Sequence, residues 1–224
     1  MADTVRPRVP GDPGNATTFR FPVRYLTVPG STSVRFVEGK AEGLLEPFIE
    51  AAKELERQGV KAITTSCGLL TPFQESMANA VHVPTFASCL LQVPLLLRIL
   101  NKDRKVCVIT LVSTRLSPED LRAAGIEDAS RVVVVGTEHT KYLFDSTRQT
   151  EFDPDRQREE MVGVALEALE RHPDIGAFVL ECSSFPPYGP AVHRATGVPV
   201  FDLITMTNWV ESGVNRPKDF EGFM

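Results

Sequence analysis

The chain has 224 residues, 42% of them hydrophobic, and a formal net charge of −5. Such a composition belongs to a folded globular protein rather than a disordered one, and charge scattered without runs of lysine or arginine offers no footprint for nucleic acid or an acidic membrane. Small-molecule chemistry is the class that remains.

At the N-terminus, MADTVRPRVPGDPGN places proline, glycine and charge where a secretory signal needs an apolar core, so a cytoplasmic protein is expected. Short apolar runs then alternate with amphipathic stretches, the pattern of parallel strands joined by crossover helices, and the expected fold class is α/β. The first half predicts a strand over 23–28, a helix over 44–57, a strand over 61–65, a helix from 72, a strand over 84–86 and a helix over 89–100. The second half predicts strands over 105–111 and 131–135, a helix over 156–171, strands over 176–181 and 199–201, and a helix from 203. The apolar stretch 86–100 is too short for a bilayer and is broken by Gln92, Pro94 and Arg98, so no membrane partner is expected. Residues 1–100 are expected to form an N-terminal α/β half carrying Cys67, and 101–202 a C-terminal half carrying Cys182. A helix and tail over 203–224 are expected to pack back on the first half.

An internal echo organises these elements. GVKAITTSCG set beside DIGAFVLECSS pairs Ala62 with Ala177 and Cys67 with Cys182, each 115 positions apart. The same offset relates Pro84 to Pro199 and Phe86 to Phe201 in HVPTF and GVPVF. Cysteine, proline and aromatic holding one offset across three elements point to a duplicated half-domain. Ligands of parallel α/β sheets bind at the carboxyl ends of strands, where both cysteines fall. Halves facing each other about a pseudo-twofold axis would bring the thiols together in one cleft, as two-sided proton transfer at one carbon requires.

A buried cysteine is more often a small hydrophobe than a catalyst, and Cys89 in an apolar helix and Cys107 inside a strand keep that reading. Cys67 and Cys182 instead lie between a strand end and a Ser/Gly turn, whose N–H groups favour thiolate and bind carboxylate. Thr64, Thr65, Ser66 and Gly68 around the first, and Ser183 and Ser184 around the second, are candidate contacts for a substrate carboxylate, set against ordinary turn and cap chemistry. Tyr188 in FPPYG is a candidate cleft wall, or plain punctuation at a helix start. His82, His139, His172 and His193 show no metal-ligand spacing, the four cysteines form no C-x-x-C pair, and no nucleotide-binding glycine loop is present. No metal and no cofactor are expected.

TTSCG after one strand, ECSSFPPYG after a second and GVPVFD after a third resemble the aspartate/glutamate racemase superfamily over nearly the whole chain, and most of all its branch with TTSCGF-like and ECT-x-x-PPY-like motifs. The resemblance implies two similar parallel-sheet half-domains, no pyridoxal phosphate or metal, and Cys67 and Cys182 as the pair that removes and returns a proton. It implies a racemase or epimerase acting on a small carboxylate, an amino acid being one option. The superfamily also holds hydantoin racemases, maleate isomerases, arylmalonate decarboxylases and an algal dimethylsulfoniopropionate lyase. A lyase or decarboxylase on the same scaffold is therefore the alternative, and a non-catalytic ligand-binding relative a third. The Asn-Thr that follows the first cysteine in amino-acid racemases is Gly68-Leu69 here, and the Thr-His after the second is Ser183-Ser184, which turns the expectation away from aspartate or glutamate. The first apolar strand of the branch is expected to be missing. Homo-oligomerisation is left open.

Overall fold

The longest apolar runs of the second half, KVCVIT and IGAFVL, become neighbouring strands in a computed structural model that describes residues 7–37, 41–145 and 152–216. The first half holds α1 (Ser33–Val37), α2 (Leu45–Arg57), β1 (Ile63–Thr64), α3 (Gln74–Ala80), β2 (Thr85–Phe86) and α4 (Val93–Ile99). The second holds β3 (Lys105–Thr110), α5 (Pro118–Ala123), β4 (Val132–Gly136), α6 (Tyr142–Asp145), α7 (Pro154–Arg171), β5 (Ile175–Leu180), α8 (Gly189–Thr196), β6 (Val200–Asp202) and α9 (Leu203–Val214). Every strand pairing is parallel. β1 pairs with β2, and the larger sheet runs β4-β3-β5-β6.

The centre of that sheet is covered on both faces, which is why its strands read as unbroken apolar runs. Val106, Val108, Ala177 and Val179 point to one side, into a core with Leu90, Val93, Leu121 and Met206. Their neighbours Cys107, Ile109, Phe178 and Leu180 point to the other, against Met161 and Ala165 of α7 and Val192 of α8. Phe178 and Phe185 are wholly buried there, and truncating either to alanine costs about 3–5 kcal/mol. A third core gathers Phe48 and Ala52 of α2, Met77 of α3 and Ile63 of β1.

Helix starts follow local chemistry. Asp153 caps α7 by accepting from the N–H groups of Asp155 and Arg156. Ser117 with Asp120, and Asp202 with Thr205, form capping boxes at the starts of α5 and α9. The helix expected over 89–100 opens as a 3-10 turn, Cys89–Gln92, and becomes α-helical at Val93, with Pro94 in the first turn where its missing N–H costs nothing. The side chain of Arg131 donates to the carbonyls of Leu97, Asn101 and Arg104, tying the start of β4 to the link between α4 and β3.

One expected strand is absent among the described residues. Segment 23–28 forms no strand of either sheet, and Val23 and Tyr25 stay exposed. Phe21 to Arg24 instead line a groove of about 400 Å³ beside β1, walled by Leu55 of α2 and by Thr207, Val210 and Val214 of α9. The expected tail beyond residue 216 lies outside the described residues. No described helix is long and apolar enough to cross a membrane.

The expected echo extends to strand register. β1 and β2 pair Ile63 with Thr85 and Thr64 with Phe86, while β5 and β6 pair Phe178 with Val200 and Val179 with Phe201. Each residue of the first set lies 115 positions before its counterpart in the second.

Candidate active site

The ladder of the larger sheet runs one residue past β5, because Glu181 N–H donates to the Ile109 carbonyl at 2.9 Å; Cys182 follows. Cys67 follows β1 after Thr65 and Ser66, so both thiols stand at the carboxyl ends of parallel strands, and both are partly exposed.

The two turns lie against each other. Ser183 Oγ donates to the Ser66 carbonyl at 2.6 Å. On the far side of the cysteines, Glu181 presses on Gly68: a methyl built there would stand 2.6 Å from the Glu181 carbonyl oxygen and closer still to Oε1. Position 68 is glycine because Glu181 fills the space of a side chain. Shifted by 115 positions, the contact between 66 and 183 becomes the contact between 181 and 68, with Cys67 and Cys182 between the two.

The expected contact residues divide into those spent on the protein and those left beside the thiols. Thr65 is buried, and its hydroxyl donates to the Ala87 carbonyl at 2.6 Å and the Cys67 carbonyl at 3.0 Å while accepting from Cys67 N–H at 3.3 Å; it shapes the turn. Thr64 Oγ1 bonds the Phe86 carbonyl at 2.9 Å. Ser66 and Ser183 keep partial exposure beside the thiols. Ser184 Oγ lies 3.1 Å from Cys182 Sγ. Tyr188 is buried in the core, and its hydroxyl donates to Gln157 of α7.

Electrostatics depart from the expectation of a thiolate-favouring turn at Cys67. Burial pushes that thiol well above its ordinary value, and the negative charges of Glu181 and Cys182 push it further, with only the Leu69 N–H pulling back. Glu181 itself is 3% exposed, and burial raises its carboxyl to about 7 although Thr110 Oγ1 donates to Oε2 at 2.6 Å. Cys89, read from sequence as an inert core thiol, is buried behind the site and donates to the Leu180 and Glu181 carbonyls at 3.5 and 3.6 Å. Its thiol is also pushed well above normal, by burial and then by Glu181, Asp202 and Cys182. Asp202, at the end of β6, is raised by burial to about 6. Glu181, Thr110 and Asp202 escaped the sequence reading. The glutamate stood in the ECSS motif, but nothing local tells that its side chain meets Gly68 from the other half.

No family model matches the chain. Among curated proteins, the dimethylsulfoniopropionate lyase of Durusdinium sp. clade D is 30% identical over 217 residues, covering 94% of this chain and 72% of that protein. The chain belongs to the dimethylsulfoniopropionate lyase family. Dimethylsulfoniopropionate lyase 7 of Emiliania huxleyi (strain CCMP1516) is 31% identical over 207 residues, covering 88% of this chain and 61% of its own length. Among solved structures, arylmalonate decarboxylase matches with a TM-score of 0.55 at 19% identity, covering 79% of this chain and 78% of that one. Glutamate racemase RacE1 from Bacillus anthracis matches at 0.54 and 16%, covering 76% and 64%. The α/β fold of this family member is thus one that arylmalonate decarboxylase and glutamate racemase share.

Proposed function

We propose that the chain is a lyase acting on a small carboxylate that carries a leaving group on the carbon next but one to the carboxyl, with dimethylsulfoniopropionate as the first substrate to try. The observation that carries this reading is the pair of cysteine turns packed on each other, in a chain whose curated relatives are dimethylsulfoniopropionate lyases. A thiolate takes the proton from the carbon beside the carboxylate and becomes a thiol. The electron pair of the broken C–H bond forms the new double bond, and the carbon–sulfur bond breaks with its electrons leaving on sulfur. Dimethyl sulfide and acrylate result, and the proton later returns to water. Such a base contributes about 10²–10⁴-fold when positioned and correctly ionised. Ser66, part-exposed beside the thiols, suits the substrate carboxylate, whereas Ser183, Thr65 and Tyr188 spend their hydroxyls on protein partners.

Racemisation or epimerisation of a small carboxylate is the second reading, and the specific observation in its favour is the register repeated at 115 positions, which suits proton transfer on two faces of one carbon. Proton NMR in deuterium oxide separates them. Acrylate and dimethyl sulfide appearing from dimethylsulfoniopropionate support the lyase. Deuterium at the α-carbon of a recovered chiral carboxylate, with loss of optical activity, supports the isomerase. Thermal stabilisation by such carboxylates without turnover of any sinks both.

A further inference from the structure

The larger sheet ends on an unguarded edge. Among the described residues β4 pairs with β3 alone, and its valines, Val132 to Val135, are each partly exposed. Edge strands of native proteins carry lysine, proline or a bulge that keeps other chains from adding to them. β4 holds neither lysine nor proline, and its register against β3 runs without a bulge. Arg131, the charged residue just ahead of it, is turned back onto the carbonyls of Leu97, Asn101 and Arg104 and offers no guard. The opposite edge, β6, is three residues long and runs straight into α9.

The ladder fixes which backbone groups point out. Thr137 N–H donates to the Thr110 carbonyl at 3.0 Å, and along a parallel strand successive residues bond to alternate sides, so positions 133 and 135 face β3 while 132, 134 and 136 face outward. Val132 N–H is taken by the Ala129 carbonyl. The outer edge therefore presents the N–H and carbonyl of Val134, the carbonyl of Val132 and the N–H of Gly136. This edge lines a groove of about 290 Å³ whose other wall includes Val164 and Ala168 of α7. Arg171, at the end of α7, lies toward the amino ends of the parallel strands, because β5 begins just after it. Glu138 lies at the carboxyl end, with its side chain folded over Gly136. The groove is thus basic at one end and acidic at the other.

We propose that the β4 edge is the seat of a second copy of this chain, whose β4 lies antiparallel to it about a twofold axis through Val134. In that register each Val134 exchanges both N–H···O bonds with the partner's Val134, and each Gly136 N–H meets the partner's Val132 carbonyl. The same axis turns the Arg171 end of one groove toward the Glu138 end of the other, so the charges complement each other twice. Within one chain Arg171 reaches Glu167 at 3.3 Å, an exposed pair of little worth that is readily exchanged. β4 carries none of the residues of the cysteine turns, so this assignment neither needs nor tests the reaction proposed above.

The test is the state of association of the whole chain, followed by sedimentation and light scattering as the protein is diluted. The expected species is twice the mass of the chain at high concentration, dividing on dilution. Hydrogen exchange of the Val134 amide should be slow in the dimer and about tenfold or more faster in the monomer. Val134→Pro removes the outward N–H, leaves the bonds between β4 and β3 in place, and should raise the dissociation constant about tenfold or more. A native chain that stays a monomer up to its solubility limit overturns the proposal. So does a dimer that a folded Val134→Pro leaves unchanged, or a Val134 amide that exchanges alike in dimer and monomer. If Val134→Pro fails to fold, two surface reversals decide. Arg171→Glu and Glu138→Lys should each weaken the dimer about tenfold or more by setting like charges face to face, and the protein carrying both should regain native affinity to within about threefold. Reversals that leave the dimer unmoved, or a doubly reversed protein as weak as either single one, overturn the proposal equally.

Discussion

Cys182 stands just past β5, an interior strand held by β3 on one side and β6 on the other, whereas Cys67 stands just past β1, two residues long and paired only with β2 among the described residues. The first platform is buried on both faces, and the second borders an open groove. Duplicated turns therefore need not be duplicated tools. A base that must meet one C–H bond benefits from the stiffer support.

The sharpest way to break this comparison is to remove each thiol in turn. Cys182→Ser should lower turnover of dimethylsulfoniopropionate by about 10²–10⁴-fold, and Cys67→Ser by less than about tenfold, measured as acrylate release. Equal losses would mean that the turns work as matched partners.

A second effect reads the charge on the Cys67 side through stability. Glu181 is raised from 4.5 to about 7, so the folded state binds its proton more tightly than the unfolded state does. The resulting stability is fully present below the unfolded carboxylate value and is lost as pH rises through the folded one. Urea unfolding should therefore show stability falling by about 3 kcal/mol between about pH 4.5 and pH 7 from this group. Asp202, raised to about 6, adds a smaller loss of the same sign. Glu181→Gln should flatten the larger part, and an unaltered slope in that variant would show that the buried carboxyl does not titrate as described.

Steric fit compares the two contacts that bracket the cysteines. Gly68→Ala meets the backbone and side chain of Glu181 and should cost about 1–3 kcal/mol, whereas Ser183→Ala loses one hydrogen bond to Ser66 and should cost about 1 kcal/mol. A Gly68→Ala protein as stable as the parent would mean that Glu181 moves aside freely.

The smallest expected effect concerns the thin platform. Joining an extended apolar segment ahead of residue 1, so that it can lie in the groove beside β1, should raise the melting temperature by roughly 2–4 °C through paired backbone groups and covered apolar walls. A melting curve unmoved by the extension would show that the groove takes no strand.

Much of this arrangement is legible in the chain itself, and the exceptions have physical causes. KVCVIT and IGAFVL announce interior strands because both their faces are covered, and their ends fall within a residue of expectation. The cysteines, prolines and phenylalanines that keep the 115-position offset anticipate even the register of the smaller sheet. Segment 23–28 has a strand's composition but joins neither described sheet, and sheet pairing is a property of neighbours rather than of composition. The short α5 was missed because its capping box, not an apolar period, defines it. Tyr188 has the aspect of a cleft residue until Gln157, distant in sequence, captures its hydroxyl. Glu181 was hidden for the same reason, since its contact with Gly68 crosses between the halves.

Arg131 bears on how the molecule moves. Its guanidinium bonds the Leu97 carbonyl in the last turn of α4 and the Asn101 and Arg104 carbonyls of the link that carries the chain from the half with Cys67 to the half with Cys182, at 2.9 to 3.1 Å. A link clamped in this way is a strut and not a hinge, because pivoting about it would break several bonds together. The segment from Arg8 to Asn15 packs on the turn that precedes α8, where its Gly11, at a φ of 97°, lies on Pro187 so closely that a side chain would strike the Pro187 Cα at 2.9 Å. This loop is held together by its own Arg8–Asp12 ion pair and by Asn15 bonding the Arg8 carbonyl, and the Tyr25 hydroxyl, donating to the Pro13 carbonyl at 2.6 Å, fastens it to the chain that follows.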